Sequence, residues 1–106
     1  MAAKQIEDTI KEVVTKHIDK NEFYVFLFGS RVGKDYRNSS DYDIGLYGAH
    51  SVPLSVIAKM KDELETYPIP VGVDIVDFSS ATDDFKRLAL KKVQIWNSPK
   101  KSFKLN

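Results

Sequence analysis

The sequence predicts a mixed α/β domain of the α+β kind: a small mixed sheet flanked by helices, in the order α-β-β-α-β-α-β. Three observations carry this. Two stretches repeat apolar residues at three- and four-residue steps, the period of an amphipathic helix. The continuous run Phe23-Tyr24-Val25-Phe26-Leu27-Phe28 has the composition of a strand buried on both faces. Two later β-rich stretches carry acids within otherwise apolar strands.

Ile6, Ile10, Val13, Val14 and Ile18 mark the first helix, about residues 4–19, ended by Asp19-Lys20-Asn21. The buried strand follows and stops at Gly29, and a polar loop runs from Ser30 to Ser40. A second strand covers about 41–47 and breaks at Gly48. Pro53 fits the first turn of a second helix whose apolar stripe is Leu54, Ile57, Met60, Leu64 and Tyr67. Pro68 and Pro70 stop it. Residues 71–78 read as a third strand. Ser79-Ser80-Ala81-Thr82 followed by Asp83 and Asp84 is a helix start, with hydroxyl caps and acids in the first turn. Phe85, Leu88 and Ala89 are expected to face the core, with Lys91 and Lys92 at the helix end. Val93 and Ile95 alternate with polar neighbours in a short last strand, and 98–106 is expected to be a loose basic tail.

Composition sets limits on function. At 106 residues with 42% hydrophobic and 11% aromatic content, the chain suits one domain, 1–106, with a single core rather than a disordered polymer. A formal net charge of +1 gives no general electrostatic case for nucleic acid. Without cysteine there is neither a disulfide framework nor a thiolate ligand or nucleophile. The N-terminus has no signal-type apolar region and no membrane span, so a cytoplasmic protein is expected.

The chemistry concentrates in Asp41-Tyr42-Asp43, preceded by Phe28-Gly29-Ser30-Arg31. Residues i and i+2 of a strand share a face, so the two carboxylates project together, roughly 7 Å apart along the backbone. Such close acids repel unless a cation sits between them. Mg²⁺ suits the pair, because it binds through one or two carboxylates plus substrate phosphates. Gly29-Ser30 offers close backbone approach and a hydroxyl where a phosphate chain could lie. Asp74, within Val73-Asp74-Ile75-Val76, is costly to bury unless paired or metal-bound, and a neighbouring strand would bring it to the same site. The plainer reading of Asp41 and Asp43 alone is two exposed acids on an edge strand; Gly29-Ser30 and Asp74 weigh against it.

Gly29-Ser30, ten residues, then Asp41-x-Asp43 and a later strand aspartate resemble the nucleotidyltransferase superfamily that includes DNA polymerase β. More closely, the chain resembles the minimal nucleotidyltransferases of prokaryotic MNT–HEPN toxin–antitoxin pairs, over roughly residues 5–97. The resemblance implies a nucleotidyltransferase fold in which Asp41 and Asp43 hold two Mg²⁺ ions. Asp74 would complete the second metal site and help deprotonate the incoming hydroxyl. Gly29 and Ser30 would hold the β and γ phosphates of ATP, so that attack at the α phosphorus expels pyrophosphate. The implied activity is transfer of AMP from ATP to a hydroxyl, commonly a tyrosine of a partner HEPN toxin, in a hetero-oligomer. Relatives often carry Gly-Ser-Arg-x-x-Gly, whereas here Gly33 comes one residue early and Lys34 takes the glycine's place.

Two other functions are weighed. Transfer to a small molecule usually goes with an additional helical domain, for which little chain remains. A contact-only antitoxin with a vestigial site is opposed by retention of all three aspartates. Arg31 reads either as a nucleotide-phosphate contact or as a brace for its own loop through an acid. Lys34, Lys59 and Lys61 read as solvated charges, Asp77 as structural or solvated on the face opposite Asp74, and His17 as a packing residue of the helix surface. His50 carries no argument, and Trp96 reads as core or interface.

Overall fold

In a computed structural model the described residues are 1–100, leaving aside the side chains of 88 and 89. The order is α1 Ala3–Lys16, β1 Phe23–Phe28, β2 Tyr42–Gly48, α2 Leu54–Leu64, β3 Val73–Asp77, α3 Asp83–Ala89 and β4 Gln94–Asn97. Short 3-10 turns, Gly29–Arg31 and Phe78–Ser80, follow β1 and β3. The four strands form one mixed sheet in the order β3-β2-β1-β4. β1 pairs antiparallel with β2 and β4, while β2 and β3 run parallel. A parallel pair needs a crossover, and α2 supplies it.

Alternation along β1 and β2 divides the interior into two layers. Val25, Leu27, Tyr42, Ile44 and Leu46 pack with Ile6, Ile10, Val13 and Val14 of α1 and Met60 and Leu64 of α2. On the opposite face Phe26, Phe28 and Phe78 form an aromatic layer, with Leu90 and Val93 against it. Five of the six β1 side chains are therefore buried, as expected of a strand covered on both sides.

Three expectations need correction. The first helix ends at Lys16 rather than near 19; His17 caps it and reaches Glu63 of α2 at 3.0 Å, and Lys16 pairs with the same carboxylate. Leu54 does not join the α2 stripe and is 84% exposed. At about 100° per residue, Leu54 lies about 90° from the centre of the stripe defined by Ile57, Met60 and Leu64, and the buried Val52 packs in its place, ahead of the helix. Tyr67, past the helix end, is also exposed. Phe85 stays largely in solvent while stacking on Phe78 at 5.4 Å between ring centroids; the side chains of Leu88 and Ala89 lie outside the described residues. Of the expected tail, Lys100 N–H donates to Asn21 O, and 101–106 lie outside the described residues.

Gly45 shows how tightly the aromatic layer meets the sheet. A Cβ placed there would collide with the ring of Phe26, itself fully buried and unable to swing away. Gly45→Ala should therefore cost about 1–3 kcal/mol of stability by overpacking, and Leu54→Ser should change it by no more than about 0.5 kcal/mol. Urea denaturation of both variants measures this; an unchanged midpoint for Gly45→Ala would disprove the packing argument.

Candidate active site at one end of the sheet

The register sets the site. Phe28 stands opposite Asp43 across β1 and β2, and Asp43 pairs with Asp74 across β2 and β3. Directly paired residues point to the same face, so Asp43 and Asp74 form one row, with the Gly29-Ser30 turn beginning where β1 ends. Gly29 has φ +78°, a left-handed conformation natural to glycine. A Cβ there would also strike the Asp43 carboxylate. Both constraints hold residue 29 to glycine and bring its backbone against Asp43. Ser30 beside it is exposed.

Asp41 differs from expectation. The strand starts at Tyr42, so Asp41 stands just before it, exposed, and its Oδ1 accepts the Gly72 N–H at 3.0 Å. Tyr42 N–H in turn donates to Gly72 O at 2.9 Å. The carboxylate thus helps fasten the entry of β2 to the entry of β3. Among the described residues no group of three His, Cys, Asp or Glu side chains lies close enough together to form a finished metal site. Asp43 and Asp74 form the row, Asp41 flanks it from just before the strand, and the charges of both reach Asp43.

The electrostatics still favour a cation. The Asp43 carboxyl is pushed above the ordinary carboxylate range, first by burial and then by the charges of Asp74 and Asp41. Clustered carboxylates that raise one another's proton affinity are stabilised equally by a divalent ion. Such an ion takes the rest of its ligands from water and phosphate, so the donor set fits Mg²⁺ arriving with a nucleotide better than a permanent protein cage.

The nucleotide contact expected of Arg31 finds no support in its placement. Its side chain is buried, and Nη1 donates to the carbonyls of Ser40 at 2.7 Å, Arg37 at 3.3 Å and Asn38 at 3.4 Å. The guanidinium lies between two rings, 4.2 Å from Tyr42 and 4.4 Å from Tyr36. It braces the loop, as one of the two readings held, but through carbonyls and aromatic faces rather than an acid. Asp77 is structural: its carboxylate accepts from Val52 N–H at 2.8 Å and Ser79 N–H at 3.0 Å. The role of Tyr42 as one wall of the Arg31 slot was not foreseen; the tyrosine between the two aspartates was the available signal.

A folded-state pKa above the unfolded value makes ionised Asp43 a cost to folding. That cost appears as pH rises from the unfolded-chain pKa through the folded one, because the folded state then holds the extra proton. Metal-free Asp43→Asn should therefore be more stable than the parent at about pH 7 and lose that advantage near about pH 3. Urea denaturation at the two pH values, with chelator, measures the sign; a destabilised variant at neutral pH would overturn it.

A polymerase beta nucleotidyltransferase domain model matches residues 8–101. Among curated proteins, the probable protein adenylyltransferase MntA of Haemophilus influenzae is 24% identical over 74 residues, covering 70% of this chain. The chain spans 64% of that relative's length. Among solved structures, a tri-AMPylated Shewanella oneidensis HEPN toxin in complex with an MNT antitoxin superposes with TM-score 0.67 at 22% identity, over 90% of this chain and 72% of that one. A toxin–antitoxin crystal structure with AMP-PNP gives TM-score 0.69 at 22% identity, over 87% of this chain and 73% of that one. These structural likenesses establish the fold. With the family model spanning nearly all of the described residues, the chain belongs to the polymerase beta nucleotidyltransferase family.

Proposed function

We propose that this protein is a Mg²⁺-dependent adenylyltransferase that moves AMP from ATP to a tyrosine hydroxyl of a HEPN-type helical partner, silencing that partner as a toxin. The observation that carries the reading is the contact of the Asp43 carboxylate with the Gly29 backbone, at the end of a row that includes Asp74. It puts a carboxyl of raised proton affinity, Asp43, beside a turn with room for phosphate. The names of the relatives support the same chemistry: a probable protein adenylyltransferase and a tri-AMPylated HEPN toxin bound to an MNT antitoxin. Among the described residues no helix is long and apolar enough to cross a membrane.

Each residue has a task. Asp41 and Asp43 would hold two Mg²⁺ ions together with the nucleotide. The ions supply charge neutralisation for the triphosphate and for the oxygens that gain charge during an in-line displacement. Gly29 and Ser30 cradle the β and γ phosphates, Gly29 by the absence of a side chain. Asp74, on the edge strand, takes the proton of the incoming hydroxyl. Arg31 contributes indirectly by fixing Ser40, the residue before Asp41.

Incubated with labelled ATP and Mg²⁺, the protein should label the helical protein encoded beside it, and Asp43→Asn should lower the rate at least about a hundredfold, as the loss of a charge-stabilising group does. Autoradiography of the two proteins measures it. Equal labelling by the variant would refute the catalytic assignment, and undiminished toxin suppression by the triple Asp→Ala variant would favour contact alone.

A further inference from the structure

The face of the sheet that carries Asp43 and Asp74 points away from α1 and α2. Val25, Leu27, Ile44 and Leu46 meet those helices, whereas Asp43 shares its face with Phe28, which stands opposite it, and with Gly45, two residues on. A nucleotide with its phosphates at Gly29 and Ser30 and its α phosphorus at Asp43 therefore lies against the aromatic layer. Next along β2 and β3 on that face come Gly45 and its partner Val76, roughly 7 Å beyond the two aspartates. A ribose separates base from phosphate over a comparable span. Gly45 lies under the Phe26 ring, Val76 is half-buried, and Phe78 follows where β3 ends.

Phe78 is sealed in the layer, its ring 5.1 Å from Phe28 and 5.3 Å from Phe26 between centroids. Phe85 is not. It stacks on Phe78 with the ring planes 24° apart, yet it remains 44% exposed. The ring is thus backed by the layer that reaches Asp43 and is open to solvent. Its place is set locally, because Thr82 Oγ1 caps α3 by accepting the Phe85 N–H at 3.3 Å.

We infer that Phe85 is the platform on which the base of the nucleotide stacks, favouring purines over pyrimidines through their larger ring area. The inference rests on the adenylyl-transfer reading above and deepens it by placing the base. Direction follows from the sheet order β3-β2-β1: the phosphates take the β1 side of Asp43, which leaves the nucleoside the course along β2 and β3 toward Phe78 and α3. Stacking on an aromatic ring holds a base without any hydrogen bond to its edge. A ring already packed against Phe78 loses little freedom when the base arrives, so most of the stacking energy remains for binding.

Calorimetric titration of the full chain with AMP-PNP and Mg²⁺, and with tripolyphosphate and Mg²⁺, tests this, since tripolyphosphate has no base. Phe85→Leu keeps an apolar group on Phe78 but removes the ring. It should raise the Kd for AMP-PNP about tenfold and leave the Kd for tripolyphosphate unchanged. Phe85→Trp should keep the parent's affinity, and the parent's preference for ATP over CTP should shrink in Phe85→Leu. Unchanged AMP-PNP affinity in Phe85→Leu would overturn the assignment; a rise in KM for the helical partner in its place would make Phe85 a partner contact. Equal losses for AMP-PNP and tripolyphosphate would trace the effect to the phosphate turn and refute the platform as well. If the parent binds AMP-PNP in a Phe85-dependent way yet transfers nothing, the adenylyl-transfer reading fails while the base platform stands.

Discussion

The contact between Gly29 and Asp43 is the constraint on which the rest of the site depends. Antiparallel pairing of β1 with β2 sets Phe28 opposite Asp43, so the chain leaving β1 must turn directly over a carboxylate. Only a residue without Cβ clears it, and only a residue at ease with φ +78° makes the turn. The parallel β2–β3 register adds Asp74 to the same row. A half-buried carboxylate, Asp43, is thereby set into the strand framework beside exposed Asp74 and Asp41, whose charges repel it. Burial and these neighbouring charges push the Asp43 carboxyl above its ordinary value, an unfavourable interaction that a bound cation would offset.

The framework holds because the two layers differ in kind. The α1/α2 side is aliphatic and deep, with Ile10, Val14, Ile44, Leu46 and Met60 all without measurable exposure. The other side is a thin aromatic layer in which Phe26, Phe28 and Phe78 contact one another at 5.1–6.1 Å between centroids. Gly45 lets the Phe26 ring lie flat on the sheet, and Phe28 extends the layer to the row that carries Asp43. Rigid aromatic packing beneath Gly29 fixes the turn more firmly than a loop of the same length could by itself.

The order of elements along the chain was legible because it follows from short-range pattern. The run from Phe23 to Phe28 could be read as doubly covered since its apolar residues do not alternate, and its observed limits are those expected. Asp74 lies beside Asp43 as a neighbouring strand would place it, but it is exposed, so the burial cost expected of a carboxylate amid valines and isoleucine does not arise. What escaped depends on phase and on long-range partners. The first turn of α2 placed Leu54 outside a stripe that spacing alone seemed to include. Asp41 looked like a strand residue by alternation, yet the strand begins at Tyr42 and the Asp41 carboxylate is bonded to Gly72 N–H, 31 residues away. Gly72 itself is brought there by a linker containing Pro68 and Pro70, whose path no periodicity encodes.

The loop between the two halves of the motif shows how a departure from a family pattern can be absorbed. Relatives of the type resembled place a glycine at the position occupied here by Lys34; in this chain Gly33 takes the left-handed turn instead, with φ +95°. Moving the turn one residue forward would shift everything after it if the loop were held by its glycines. It is held instead from within, by Arg31. Three carbonyls, of Arg37, Asn38 and Ser40, converge on one guanidinium clasped between Tyr36 and Tyr42. A planar cation with several donors can satisfy three carbonyls and two ring faces at once, which a lysine cannot. The position of Ser40, and so of Asp41 after it, is therefore set by a buried contact at the far end of the loop, and the intervening exposed residues are free to vary around it.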